Sequence, residues 1–360
     1  MADAHQSDQS GNHSHAAGEQ HRGRSAESPT QVPKSGWLDI FWRMKAQMAE
    51  DNLNVVAAGV AFYAFVAVAP GIAATIALYA LFLDVGQLQS HLGLLSQVVP
   101  AEVMPILRDQ ITHVVEDNQA AGISAAIGVA IALYGSAKAT KGLITGLNIA
   151  YDERERRGFL KLNLVAITLT LAGIIGMILV VTLVAVLPSL LRHVGLSTGS
   201  EWLFSILRWP VLVGLFMIAL AVIYRFAPCR ESPKWRWISP GAIGSSLLWV
   251  LGSAAFSFYV SQFGNYQKTY GSLGAIVVFL LWLLLSAYVI LLGAELNTEI
   301  ERQTLRDTTT GDPEPRGSRG AYAADTIGPA RGSRSSRGRQ RDRDPDPDDR
   351  DAPVHLPRRR

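Results

Sequence analysis

The sequence predicts an all-α integral membrane protein with six transmembrane helices, and three observations support this fold class. Residues 273–292 form an apolar run without a charged side chain. At a rise of about 1.5 Å per residue, a helix of this length spans the roughly 30 Å hydrocarbon core of a bilayer. Hydrophobic residues make up 49% of the chain but are scarce near its two ends. Basic residues cluster in the loops between apolar runs, as they do in polytopic membrane proteins.

The two ends of the chain are predicted to be disordered cytoplasmic tails. Residues 1–35 and 303–360 are polar, and the second tail is rich in Arg and Asp. Such segments cannot bury enough apolar surface to fold. The histidines of the first tail have no fold to fix their spacing, so they predict no metal site. Aspartates offset the arginines of the second tail, and we expect it to be solvated and to bind no nucleic acid.

The first part of the membrane domain, which we predict over 36–302, contains helices of two kinds. Aromatic and basic residues between 36 and 54 predict an amphipathic helix on the membrane surface. The first span is predicted at 55–83, where Pro70 and Gly71 interrupt it. This interruption is either a packing kink or a break that lines a pathway. Between the first and second spans, acidic amphipathic sequence predicts two helices on the extracytoplasmic side.

The other five spans are predicted at 122–137, 162–191, 203–224, 240–259 and 271–292. Two basic loops separate them, one between the second and third spans and one between the fourth and fifth: Lys138, Lys141, Arg154, Arg156, Arg157 and Lys161, then Arg225, Arg230, Lys234 and Arg236. The positive-inside rule places both loops in the cytoplasm. We therefore expect a multi-pass protein with both termini cytoplasmic.

Three stretches resemble the YihY/BrkB family of bacterial inner-membrane proteins. These are AAGVAFYAFVAVAPG (57–71), GLNIAYDERERRGFLK (146–161) and the run from 224 to 302, in which YGSLGA and GAELN stand at the two ends of one span. Two positions depart from the family pattern, Cys229 where a polar residue is expected and Leu284 where an aromatic one is usual. The resemblance implies six spans and a plasma-membrane location. It implies no settled activity, although some members were formerly labelled ribonuclease BN.

The residues do not favour a nuclease. A metal-dependent nuclease needs clustered His and Asp ligands, whereas the membrane domain contains only the separated His91, His113 and His193. Sequence motifs for a nucleophile elbow, a zinc protease or a phosphate-binding loop are also missing. We therefore expect no enzyme activity, no catalytic residue, no cofactor and no metal site. The lone Cys229 cannot form an internal disulfide and is predicted to pack.

Two functions of different class remain. The first is a transporter or permease, in which the break at Pro70 and a serine face on the fifth span (Ser253, Ser257, Ser261) could line a pathway. Because the cores of the spans hold essentially no charge, its cargo would be neutral, amphiphilic or lipid-like. The second is an envelope scaffold or interaction protein that transports nothing. Membrane lipids are the expected partners, and the choice between self-association and another envelope protein stays open.

The candidate functional or packing positions lie in the family-like stretches and at the two ends of the sixth span. Small residues at its outer end allow close helix approach, and backbone N–H groups there could bind a headgroup. At its inner end Glu295 and Asn297 present a carboxylate and an amide, and Arg230 is the expected partner of Glu295. The full set is Tyr63, Pro70, Gly71, Asn148, Tyr151, Pro228, Arg230, Tyr270, Gly271, Ser272, Gly274, Glu295 and Asn297. Small residues of the fifth span, such as Gly241, are expected to serve helix packing.

Overall fold

The computed structural model describes residues 22–68, 123–186, 198–262 and 272–331. The predictions for the extracytoplasmic helices, for the break at Pro70 and Gly71, and for Tyr270 and Gly271 lie outside these ranges. Regular structure in the described residues is helical, apart from one isolated antiparallel bridge between Pro233 and Thr309. The predicted all-α class is therefore confirmed for these residues.

The described part of the chain forms eight α-helices. They are α1 (Lys34–Glu50), α2 (Leu53–Val66), α3 (Ile123–Ala150), α4 (Phe159–Val181), α5 (Thr198–Phe226), α6 (Trp235–Gln262), α7 (Ser272–Glu301) and the short α8 (Tyr322–Asp325). A π-helical turn, Thr182–Val186, continues α4, and a 3-10 turn, Pro29–Gln31, precedes α1. Each predicted span overlaps one of the helices α2 to α7.

Four described helices are long and apolar enough to cross a membrane. Their apolar segments are Phe159–Val184, Ile206–Phe226, Trp235–Ser261 and Ile276–Glu301, which belong to α4 to α7. Helix α2 is apolar but has only 14 described residues. Helix α3 has 28 residues, and lysines in its second half lower its hydropathy. The structure thus shows an all-helical chain with four candidate spans, and the count of six stays a prediction.

Helices α2 to α7 close into a ring in chain order. Each of them packs on the next, and α7 returns to pack on α2. Helix α7 also contacts α1, α3 and α8, so it has protein on more sides than its neighbours. This position explains why its last turns, from Ala294 onward, are almost fully buried.

Apolar side chains point outward from this ring, whereas many polar side chains are inside it. Leu160, Leu251 and Phe258 are 82%, 66% and 68% exposed, while Ser246 and Asn297 are inaccessible to solvent. In water, an apolar surface of this extent would drive association. In a bilayer, lipid tails cover it and polar groups must find partners within the protein. The distribution is that of a membrane protein.

Helices α6 and α7 cross where two glycines meet. A Cβ added to Gly293 would overlap Ser245 Oγ and the Tyr224 hydroxyl, and a Cβ on Gly241 would overlap the Gly293 carbonyl oxygen. Small residues let membrane helices approach this closely. The structure therefore gives Gly241 the packing role that the sequence predicts.

Two segments that the sequence predicts to be disordered, 22–33 and 303–331, pack against the bundle. The Arg24 guanidinium donates to the Gly328 carbonyl at 2.7 Å and to the carbonyls of Arg302 and Gln303 at 3.3 Å. The Gly328 N–H in turn donates to the Arg302 carbonyl at 2.9 Å. The amino-acid composition did not predict that these segments are ordered, because they stabilise each other through polar groups rather than through an apolar pattern. Residues 1–21 and 332–360 lie outside the described ranges.

Changing Gly293 to Ala should destabilise the protein, because the added methyl group must separate α6 from α7. Overpacking of this kind typically costs about 1–3 kcal/mol. Gly173→Ala in α4 is the matched control, since a Cβ there meets nothing within 4 Å. Thermal unfolding in detergent should show a lower midpoint for Gly293→Ala alone. Equal midpoints for the two variants would contradict the close crossing.

Candidate functional site

Many of the predicted site residues meet at one end of the bundle, which we call the polar end. It consists of residues 294–304 at the end of α7, 147–157 at the end of α3, the loop 227–234 and the inward face of α1. Its side chains come from segments far apart in sequence, so the helix ring is needed to bring them together.

Asn297 connects three elements of the polar end. Its Oδ1 accepts a hydrogen bond from the Gly241 N–H of α6 at 2.8 Å, and its Nδ2 donates to the Tyr151 hydroxyl at 3.3 Å. The next residue, Thr298, donates from its hydroxyl to the Ala150 carbonyl at 3.0 Å. Asn297 and Thr298 are both inaccessible to solvent. These bonds fix the end of α7 against α6 and against the end of α3.

A buried ion pair joins the loop 227–234 to α7. The Arg230 guanidinium donates to both carboxylate oxygens of Glu301, at 3.1 and 2.6 Å, and neither side chain is exposed. The Thr308 hydroxyl donates to the same carboxylate at 2.9 Å, and Arg230 lies 5.1 Å from the centre of the Tyr151 ring. Burial opposes the charge of Arg230, but the Glu301 carboxylate outweighs it and raises the pKa of the guanidinium. Burial also raises the pKa of the Tyr151 hydroxyl, so the phenol stays neutral.

The prediction that Arg230 pairs with Glu295 is wrong. Glu295 and Glu301 are six residues apart, a spacing that places them on different faces of a helix with 3.6 residues per turn. The loop that carries Arg230 lies against the face of Glu301. Sequence separation alone did not distinguish the two acids.

A second ion cluster joins α1 to α7. Glu299 is inaccessible to solvent and accepts from Arg43 Nε at 2.5 Å. Its other carboxylate oxygen accepts from Arg302, and its backbone carbonyl accepts from Arg43 Nη2 at 2.9 Å. The sequence predicts Arg43 to be an anchor at the membrane surface, but its side chain is only 9% exposed and faces the protein. The exposed side chains of α1 include the apolar Trp37 and Phe41 as well as the basic Lys34 and Lys45.

Glu295 lies one turn before Glu299 on the same face of α7 and is inaccessible to solvent. Neither of its carboxylate oxygens has a hydrogen-bond partner among the described residues. The charged groups that act on it most strongly are acids, first Asp51 and then Glu299 and Asp152. Gln47 Nε2 donates to the two Asp51 oxygens at 3.2 and 3.1 Å, and it lies 3.5 Å from Asp152 Oδ2. Glu295 is thus a buried acid without a donor.

Two left-handed backbone positions bring Asp51 and Asp152 to this place. Asn52, with φ 49°, turns the chain between α1 and α2, and Asp152, with φ 55°, ends α3. The Glu153 N–H donates to the Asn148 carbonyl at 2.8 Å, and the Asp152 N–H donates to the Ile149 carbonyl at 2.9 Å. This is the Schellman pattern that closes helix C-termini. Short polar side chains such as Asn and Asp tolerate the left-handed conformation.

Asn148 attaches the loop after α3 to the loop after α5. Its Oδ1 accepts from the Cys229 N–H at 2.7 Å, and its Nδ2 donates to Glu155 at 3.0 Å. Arg157 donates twice to the Glu155 carboxylate at 2.7 Å, which lowers the pKa of Glu155 to about 2. Arg157 also donates to the Ala227 carbonyl at 2.9 Å. The basic loop predicted to face the cytoplasm therefore also holds the end of α3 against the loop after α5.

The structure brings together the candidates Asn148, Tyr151, Pro228, Arg230, Glu295 and Asn297, and leaves others elsewhere. Tyr63 is 49% exposed, and its ring lies against Gly142 of α3. Ser272 is the first residue of α7, and Gly274 is buried in the next turn. The remaining candidates, Pro70, Gly71, Tyr270 and Gly271, lie outside the described ranges.

Sequence reasoning missed Gln47, Asp51, Glu299 and Glu301. One signal was available, because three acids end the last span at positions 295, 299 and 301. Acids there must find partners, and helical spacing divides them between two faces. Within the described ranges, no group of three or more His, Cys, Asp or Glu could hold a metal ion.

A ring of helices with an apolar surface and a buried polar end defines a polytopic α-helical membrane protein. Residues 44–317 match the virulence factor BrkB family. The chain belongs to this family, and the resemblance recognised in the sequence is confirmed.

Related proteins carry membrane-protein and ribonuclease-like names. The ribonuclease-like protein YfkH of Bacillus subtilis is 33% identical over 220 residues, which cover 59% of this chain and 78% of YfkH. A UPF0761 membrane protein of Vibrio campbellii is 27% identical over 76% of this chain and 85% of its own. One from Methylibium petroleiphilum is 25% identical over 72% and 61%, respectively. No solved structure matches the chain. These names establish no enzymatic activity for the family.

Changing Glu301 to Gln should cost about 3–5 kcal/mol of stability, because Arg230 keeps its buried charge and loses its counter-ion. The control is Glu27→Gln, which breaks a 3.7 Å pair with Arg306 in which both side chains are at least 60% exposed. Exposed pairs contribute about 0–1 kcal/mol. Thermal unfolding of both variants measures the difference. A small effect at Glu301 would show that the buried pair does not stabilise the polar end.

Proposed function

We propose that this protein is a transporter or permease of the bacterial plasma membrane for a neutral, amphiphilic or lipid-like cargo. The observation that supports the proposal best is the buried polar end, which closes one end of a ring of lipid-facing helices. Buried ionisable groups are costly to maintain, and such groups cluster at functional sites. The last turns of α7 contribute most of them, so movement of this helix end would open or close the interior.

The proposal places α2 to α7 across the membrane, with the polar end and both chain termini in the cytoplasm. The basic residues of the loops 151–158 and 227–234 support this orientation through the positive-inside rule.

The polar groups deeper in the ring favour an uncharged cargo. The residues 162–186 and 276–292 contain no charged side chain. Interior polar groups at this depth include the Ser286 hydroxyl, which accepts from Trp249 Nε1 at 2.9 Å. They also include the buried hydroxyl of Ser253, which has no hydrogen-bond partner in the part of the chain that the structure describes. Ser257 and Ser261 are exposed, so the predicted serine face does not lie inside the ring as a whole.

A scaffold that transports nothing is the second candidate. The segments 22–33 and 303–331 favour it, because they fold across the polar end and present a fixed polar surface to other proteins. In a scaffold the polar end would serve only to hold this surface.

Purified protein in liposomes should move a fluorescently labelled neutral phospholipid between leaflets. Reduction of the label by an external, membrane-impermeant agent should then proceed beyond the outer-leaflet fraction that protein-free liposomes show. A labelled lipid with a strongly charged headgroup should move more slowly, since residues 162–186 and 276–292 offer no charged side chain that could accompany it. If folded protein moves neither this lipid nor a soluble neutral amphiphile, the scaffold becomes the better proposal.

Cysteine labelling in intact cells should place Arg156 and Lys234 in the cytoplasm. In a Cys229→Ser background, a single cysteine at either position should resist an impermeant thiol reagent until the cells are permeabilised. Cysteines at Asn118 and Gln262 should react from outside. The opposite pattern of protection would overturn the proposed orientation.

A further inference from the structure

Glu295 and Asp51 form an unusual contact between two acids. Glu295 is inaccessible to solvent, and neither of its carboxylate oxygens has a hydrogen-bond donor among the described residues. Asp51, at the C-terminal end of α1, is the charged side chain that acts on it most strongly. It lies about two turns after Arg43, which bonds to Glu299 of the neighbouring turn of α7, and it is partly exposed. The contact therefore connects a fully buried acid to one that reaches water.

The basic groups on this face of α7 are engaged elsewhere. Arg43 from α1 and Arg302 from the end of α7 both bond to Glu299. Asp152, which follows α3, faces Glu295 as a further acid and shares Gln47 with Asp51. From α6, the neighbouring turn of α7 meets the uncharged backbone of Gly241. Glu295 thus faces acids from α1, from the end of α3 and from its own helix.

One proton, shared between Glu295 and Asp51, would give Glu295 a hydrogen bond and remove the repulsion between two charged carboxylates. An ionised, buried carboxylate without a donor loses its hydration and gains nothing in return. Two carboxylates that share a site cannot both ionise at low cost, and one of them retains a proton. The O–H group of one carboxyl then donates to the carboxylate of the other. This single bond gives Glu295 a hydrogen-bond partner, and Gln47 keeps its hydrogen bonds to Asp51.

We propose that Glu295 and Asp51 form a proton-binding site, in which the two carboxyl groups hold one proton between them. The proton enters from water through Asp51 and leaves by the same route, and no other reactant is required. A proton suits the site better than a metal ion, because in the described ranges no group of three or more His, Cys, Asp or Glu side chains is arranged so that it could hold a metal ion. The site does not depend on the transport proposal.

The position of the site gives the proton a structural effect. Asp51 ends α1, and Asn52 begins the turn into α2. With the proton bound, the shared hydrogen bond holds this turn against α7. Without it, two like charges face each other in a site of low dielectric constant and push the turn away. Proton release would therefore loosen α1 and α2 from the end of α7.

Infrared spectroscopy of the full-length protein in lipid nanodiscs tests the site directly. At neutral pH the wild type should show the C=O stretch of a protonated carboxylic acid, and Glu295→Gln should remove it. Asp51→Asn should shift this band, because an amide replaces the carboxylate acceptor. The matched control is Glu155→Gln, which removes an acid that Arg157 keeps ionised and should leave the band unchanged. A wild type without the band, or a Glu295→Gln variant that keeps all of it, would overturn the proposal.

Two further measurements separate the remaining outcomes. Sodium added at constant pH, with choline as the ionic-strength control, should leave the band in place; its loss would identify a monovalent metal cation as the occupant and overturn the proton assignment. The wild type should also lose thermal stability relative to Glu295→Gln as the pH rises, because the bound proton is then removed. A pH profile identical for both proteins would contradict a titrating pair. Failure of these tests would leave the liposome assay unaffected, so the two proposals can fail separately.

Discussion

The polar end of the bundle depends on one constraint, namely that the last turns of α7 are both charged and buried. Every polar group in such a place must find its partner within the protein, because neither lipid nor bulk water can supply one. The Arg230–Glu301 pair meets this need on one face of the helix and the Arg43–Glu299–Arg302 cluster on another. The loop after α5, helix α1 and the segment after α7 are thereby held in fixed positions. The glycines where α6 and α7 cross let the two helices approach closely enough for Asn297 of α7 to bond to the Gly241 N–H of α6.

The apolar runs were sufficient to predict the positions of the later helices but not their ends. The runs at 203–224 and 240–259 lie within α5 and α6, each of which continues for several residues beyond them. The second span was predicted to end at 137, whereas α3 continues to Ala150. Contacts with α4 stabilise this extension, such as the hydrogen bond that the Lys141 ammonium donates to Asn163 Oδ1 at 2.5 Å. Hydropathy reports the part of a helix that lipid can cover, and polar continuations inside the protein give no comparable signal.

The sequence was partly informative about the site. Family-like stretches and small polar residues indicated Asn148, Tyr151 and Asn297, which do meet. The choice of partners was not predictable, because it depends on how α7 is rotated relative to a loop 71 residues away. The acid that the sequence paired with Arg230 instead faces Asp51, and this contact exists only because α1 packs beside α7. The order of 303–331 was also hidden, since it rests on long-range polar contacts that leave no periodic pattern.

The bond from Arg24 to Gly328 joins residues that are 304 positions apart. A ribosome makes the first of these residues 304 positions before the second. The helices α1 and α2 are therefore synthesised well before α7, on which both of them pack. During this interval Arg43 lacks Glu299, and the acid at the end of α1 lacks its neighbour on α7. A chain cut short before α7 would therefore lack the partner of α1, and the charge of Arg43 would have no counter-ion at Glu299.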